Sequence, residues 1–182
     1  MLDQARLFAN LRQFSDVGYG SFRGFPNTIV RAREEWSAAF ADYFSQVQEG
    51  ITPPVPGHPA LALTGVKDAF FAQIALEPTV SAALAAADFA DAWQSGVGAV
   101  TPGSPVVDAS SNSYVFIQFV NVPALGEALR VSLAALFSAP SASALDRLAE
   151  IAQAFHTASS ALSLSVTITN AAGSAPGTIG VL

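Results

Sequence analysis

The sequence predicts an α+β, helix-dominated domain made of repeated helix-pair (αα) units with a small antiparallel β element. Three observations lead there. Apolar residues recur at helical spacing in segments that proline separates, as in amphipathic helices with defined ends. Residues 162–169 (LSLSVTIT) alternate between aliphatic and hydroxyl side chains, the period-two pattern of a half-buried strand. The chain also resembles itself at a fixed offset.

In chain order, residues 2–14 place Leu7, Leu11 and Phe14 on one helical face. Residues 15–28 (SDVGYGSFRGFPNT) are rich in glycine and aromatics and read as a loop. Thr28 can cap a helix running to about Gln48, with Ile29, Trp36, Phe40, Tyr43, Phe44 and Val47 as its apolar stripe. The prolines at 53, 54, 56 and 59 force an extended connection. Thr64 opens a helix carrying Val66, Phe70 and Ile74; Pro78 ends it, and Thr79 caps the next, which reaches about Ser95. Val97–Thr101 reads as a short strand, and Tyr114–Val120 (YVFIQFV) as a buried one, being β-branched, aromatic and uncharged. A helix starts at Asn121-Val122-Pro123, where proline is tolerated in the first turn, and stops at Pro140. Ser141 or Ser143 caps the last helix, with Leu145, Leu148, Ile151, Ala152, Phe155 and Ala158 on its stripe.

The repeat is carried by Pro78-Thr79-Val80-Ser81-Ala82, which recurs 62 residues later as Pro140-Ser141-Ala142-Ser143-Ala144. At the same offset Phe89, Ala90, Ala92 and Trp93 match Ile151, Ala152, Ala154 and Phe155. The chain therefore divides into an N-terminal basic, aromatic arm (1–28), a helix-rich domain (29–170) with units at about 59–101 and 123–169, and an extended tail (171–182). Each helix pair exposes an apolar face that a second pair would bury.

Composition narrows the function classes. Apolar residues make up 51% of the 182-residue chain and charged residues only 12%, against about 25% charged in a typical domain. A surface so poor in charge suits a protein that packs against partners. The formal net charge is −6, yet residues 1–33 hold five arginines against Asp3 and Asp16. A basic arm on an acidic body fits contact with another copy; nucleic acid calls for a denser basic patch. Absence of cysteine rules out disulfides and thiolate metal sites. The uncharged stretches 109–126 and 157–182 are broken by polar residues, glycine or proline, so no membrane span is expected. The N-terminus lacks a secretory signal pattern, and the expected location is a virion or the cytoplasm.

Chemistry is thinly supplied. His58 and His156 belong to no metal-ligand spacing, and His156 reads as a partner for a helix C-terminus. Asp88 and Asp91 lie three apart on one helix and read as a solvated face, although paired carboxylates are able to do acid–base work. Residues 18–24 (GYGSFRG) miss the dinucleotide fingerprint by one position, and no strand precedes them. No catalytic residue, metal site or cofactor is expected. Phe70, Phe89, Trp93 and Phe155 would line a pocket if the protein were instead a helical module for an apolar small molecule or lipid. The adjacent Phe70 and Phe71 cannot both face one core stripe. The candidate interface residues are Arg6, Arg12, Phe22, Arg23, Phe25 and Phe71.

The succession of an Ala-rich helix (SALDRLAEIAQAFHTASSA), a Ser/Thr-alternating strand (LSLSVTIT) and a glycine-rich tail (APGTIGVL) resembles small structural proteins of tailed-bacteriophage particles. That resemblance covers residues 60–182 and is compositional. It implies a non-enzymatic structural or assembly role, with other copies or neighbouring structural proteins as partners and a polar-faced strand able to pair with another chain.

Overall fold

The computed structural model describes residues 2–44, 81–98, 106–107, 110–139 and 143–181. Within these lie helices α1 (Gln4–Ser15), α2 (Ile29–Phe44), α3 (Ala82–Gly98), α4 (Val122–Ser138) and α5 (Ala144–Ser160). Strands β1 (Val106–Val107), β2 (Ser113–Phe119), β3 (Ser163–Asn170) and β4 (Gly173–Gly180) form one sheet in the order β1-β2-β3-β4, every neighbour antiparallel. The protein is α+β and helix-dominated with a small antiparallel sheet, as its sequence indicates. Helices α3 and α5 fall where the second helices of the two expected units are placed, and the described residues do not show a repeated helix pair. The first helix of the first unit, near 64–77, lies outside the described residues, as do His58, Phe70 and Phe71.

Helix α1 begins where the Asp3 carboxylate accepts from the amides of Ala5 and Arg6, at 2.9 and 3.4 Å, satisfying first-turn donors that have no helical partner. Its stripe of Leu7, Leu11 and Phe14 is buried against the core, and the helix packs on α2 and α5. Residues 1–28, expected as a separate arm, therefore contribute a helix to the core. The reason is energetic. Burying three such side chains is worth roughly 5 kcal/mol or more, the order of a small domain's whole net stability. The following loop turns back on α1, where the Arg23 amide donates to the Gln13 carbonyl at 2.6 Å.

Thr28 starts α2 as predicted, its hydroxyl accepting from the Arg31 amide at 3.1 Å. The α2 stripe then builds an aromatic core with its neighbours. Phe40 meets Phe155 of α5 with ring centres 4.6 Å apart, and Trp36 meets Phe89 of α3 edge-on at 5.0 Å. Phe14 of α1 reaches Trp36 at 5.9 Å, and Phe137 of α4 reaches Phe89 at 5.8 Å. Rings from all five helices thus interlock in the edge-to-face arrangements that their quadrupoles favour. Ile29, placed on the stripe by its spacing, is 42% exposed because it precedes the turn at which α2 enters the core.

Helix α3 runs on through Val97, which was expected to begin a strand. Val97 sits one turn beyond Trp93 on the same face, and both are fully buried. Helices α3 and α4 approach so closely that a Cβ at Gly126 would collide with the Gln94 side chain. The α4 C-terminus is closed by Arg147, whose guanidinium donates to the carbonyls of Leu136 and Ala139. Ser143 caps α5 through the Asp146 amide at 3.0 Å. Asn121 ties the β2–α4 junction to the sheet: its Nδ2 donates to the Ala161 carbonyl (2.7 Å) and its Oδ1 accepts from the Ser163 amide (2.9 Å).

Strands β2 and β3 each lie one residue from their predicted spans. Their register shifts between Phe116 and Gln118, leaving one extra residue in β2, a β-bulge. Leu164 and Val166 point to the helices and are fully buried. The expected extended tail forms β4, paired along its length with β3 through a tight turn at Ala171-Ala172. Gly173 takes φ +127° there, a conformation that favours glycine.

Truncation of Leu11 to alanine should cost about 2–5 kcal/mol of unfolding free energy in a urea titration. Deleting residues 1–28 should abolish the cooperative transition. A truncated chain with wild-type helical CD per residue and an unchanged midpoint would show instead that α1 is dispensable.

Candidate functional site

The N-terminal arginines are engaged within the chain. Arg6 grips Asp42 of α2 with two hydrogen bonds, Nε to Oδ2 at 2.7 Å and Nη2 to Oδ1 at 2.5 Å, and Asn10 adds a third at 2.6 Å. The hydrogen bond from Arg6 holds the Asp42 carboxyl below its ordinary range against the opposing effect of burial. Arg12 pairs with Asp16 at 2.6 Å and lies over the Tyr19 ring, 4.5 Å from its centre. Arg23 donates to Glu35 at 2.7 Å, while Arg31 reaches the Arg23 carbonyl at 3.2 Å. Residues 1–44 contain five arginines and five acids (Asp3, Asp16, Glu34, Glu35, Asp42), so their formal charge is zero. The −6 belongs to the rest of the chain, with three basic residues against nine acids.

Of the candidate interface residues, Arg6 thus lies at the α1–α2 seam, and Arg12 sits at the end of α1. Phe22 and Phe25 pack edge to face at 5.1 Å in the loop before α2, beside the Arg23–Glu35 pair, with Phe25 57% exposed. The structure brings Phe22, Arg23 and Phe25 together and leaves Arg6 and Arg12 to internal contacts. Sequence alone could not pair these arginines, because Asp42 is 36 residues from Arg6.

A buried polar chain links three helices. The Trp93 indole N–H donates to the Ser159 hydroxyl at 3.0 Å, and both residues are fully buried. Ser159 neighbours the Tyr43 hydroxyl, which lies 2.8 Å from His156 Nδ1. Burial pushes the Tyr43 hydroxyl far up from its ordinary value. It therefore stays protonated, and the direction of its bond to Nδ1 is set by the imidazole tautomer. His156 meets a tyrosine 113 residues away in sequence, a pairing that the helix-terminus reading did not foresee. A serine hydroxyl with no exposed surface cannot meet a substrate, so this chain fixes the helices against one another.

Asp91 is exposed on α3 and lies near Arg130 of α4, which pairs with Glu127 at 2.5 Å. Among the described residues no group of three histidine, cysteine or acidic side chains could hold a metal ion. No described helix is long and apolar enough to cross a membrane. Phe89, Trp93 and Phe155 belong to the packed core and line none of the open space found between α4 and α5. That space is a groove of about 790 Å³ bordered by Ser132, Leu136, Asp146, Glu150 and Gln153, with Gln4 at one end.

The sheet presents its other face outward. Directly paired residues share a face, so register places Val120, Ser163 and Gly180 in one row. Gln118, Ser165 and Thr178 form the next, followed by Val115, Thr167 and Pro176, then Ser113, Thr169 and Ser174. None of the twelve is charged. Val115 and Val120 are 42% and 47% exposed. The hydroxyls of Thr169 and Ser174 bond across the strands at 2.8 Å.

No described strand pairs with the second edge of β4, and the same register shows what that edge presents. Counting from the turn, and consistent with the Val181-to-Leu162 backbone bond, the β4 residues that bond to β3 are 173, 175, 177 and 179. Ser174, Pro176, Thr178 and Gly180 therefore turn their backbones away from β3. Proline has no N–H to offer at the centre of that edge, which blunts it against pairing with another strand. The expectation that β3 itself could pair with another chain is corrected, since both of its edges are taken by β2 and β4.

No known protein family, curated protein or solved structure matches the chain.

Replacing Ser159 with alanine would strand the Trp93 N–H in the core and should cost about 1–3 kcal/mol in denaturant unfolding. A second outcome concerns pH. Because the folded Asp42 carboxyl is held below its usual value of 3.8, its contribution is present above about pH 4 and is lost as acid protonates it in the folded state. The stability gap between wild type and Asp42→Asn should therefore be constant near neutrality and close below about pH 4; a gap independent of pH would refute the pairing.

Proposed function

We propose that the protein is a non-enzymatic structural or assembly protein, a component of a phage-like particle, whose partners are copies of itself or neighbouring structural proteins. The observation that carries this reading is the outward sheet face, twelve positions without a charge on a chain of net charge −6. Soluble domains normally spread charge over every exposed face, and a broad neutral one favours contact over repulsion. The internal pairing of the N-terminal arginines removes the support that their number lent to nucleic-acid binding. The sequence similarity between residues at about 59–101 and 123–169 adds a second line of support, since an internal sequence repeat suits a protein whose task is a shape.

The solution mass of the full chain, measured by light scattering over a concentration series, tests the proposal. Reversible growth with concentration, or a discrete multimer, is the expected result. A monomer at every concentration, with no association with any particle protein, would defeat it.

A further inference from the structure

We infer that the outward face of the sheet is a self-association surface, on which the same face of a second copy packs as in a β-sandwich. This rests on the assembly reading above and names the partner and the contact. Twofold contact brings the same patch of the two copies together, so the net charge of the patch meets its equal. A face carrying net charge therefore meets like charge, whereas a neutral face is complementary to itself. The helical faces carry charge: Asp91 on α3, Glu127 and Arg130 on α4, Asp146 and Glu150 on α5, Arg6 on α1. The sheet face carries none, so two copies of net charge −6 can meet there without placing like charges together.

The mode of contact is set by the edge. With Pro176 turning its nitrogen outward from β4, joining sheets edge to edge would lose a central hydrogen bond. Stacking face to face needs no backbone donor. It requires side chains that interdigitate across the usual separation of about 10 Å, and the short hydroxyls, Val115, Val120 and Gln118 suit that gap. At roughly 4.8 Å between strands and 3.3 Å per residue, three strands of eight residues offer about 400 Å² per copy. The sum, about 800 Å², belongs to weak and transient contacts. Dimerisation should accordingly depend on concentration, with higher avidity once many copies are held in one particle.

Thr167 lies near the centre of the face and supplies the test. In the full-length chain, Thr167→Arg and Thr167→Glu should each weaken association about a hundredfold or more, because like charges would be juxtaposed, while helical CD stays at the wild-type level. Mixing the two variants should restore the two-chain mass, since opposite charges then face one another. Ser132→Arg, on the α4 surface, should leave association unchanged. If the two Thr167 variants associate as wild type does, the contact lies elsewhere and the assembly reading survives without it. If both are monomeric and the mixture stays monomeric, the self-contact is overturned. A wild-type chain monomeric throughout overturns the self-contact and also the self-assembly on which it rests.

Discussion

The contact of Phe40 with Phe155, at 4.6 Å between ring centres, is the point from which the rest of the structure is organised. It joins a helix near the N-terminus to the last helix of the chain, across 115 residues of sequence. Trp36 and Phe89 extend it towards α3, Phe14 towards α1 and Phe137 towards α4. Aromatic rings bury large areas and prefer a limited set of mutual angles. A cluster of this kind therefore specifies how the helices sit as well as holding them together. Little freedom remains for α1, whose three buried residues fill one side of the cluster, and the segment is part of the body rather than an appendage.

Polar groups in this protein are spent inward. Tyr43, Ser159, Trp93 and His156 satisfy one another within the helical layer, and every side-chain polar atom buried among the described residues has a partner. Such networks add specificity because an incorrect packing would leave donors unpaired in a medium that cannot solvate them. The arginines of the first 44 residues behave likewise at the surface, cancelling acids on their own chain. Exposed pairs of this kind contribute little to stability. Their larger effect is on the outside world: a segment that reads as basic in sequence is electrically neutral once folded.

The sheet has the opposite character. One face supplies Leu164 and Val166 to the core, and the other supplies hydroxyls, two valines and a proline, with no charge. Proline on β4 takes a backbone donor from the outer edge, and Val115 and Val120 are exposed on the face. An unprotected edge accepts strands of any sequence, and proline takes a donor away from this one. The short hydroxyl side chains of the face are polar without carrying charge.

Much of the fold was legible in the sequence, for local reasons. Helical stripes, the caps at Thr28 and Ser143, the stop at Pro140 and the two-residue period of β3 each arise within a few consecutive residues. Val97 and Ile29 were misread because spacing says which residues share a face, not how far that face extends into the core. The site was hardly legible. That Arg6 meets Asp42, that Tyr43 meets His156 and that Ser165 lies between Gln118 and Thr178 are long-range pairings with no local signature. Local sequence settled most helix limits, the poverty of charge and the hydroxyl face of β3, but not the end of α3 or the existence of β4. Folding settled the pairing of the N-terminal arginines, which face of the sheet turns outward and on which side Pro176 lacks a donor. Each of these depends on register and packing between segments far apart in the chain, and a one-residue slip would have reversed the last two.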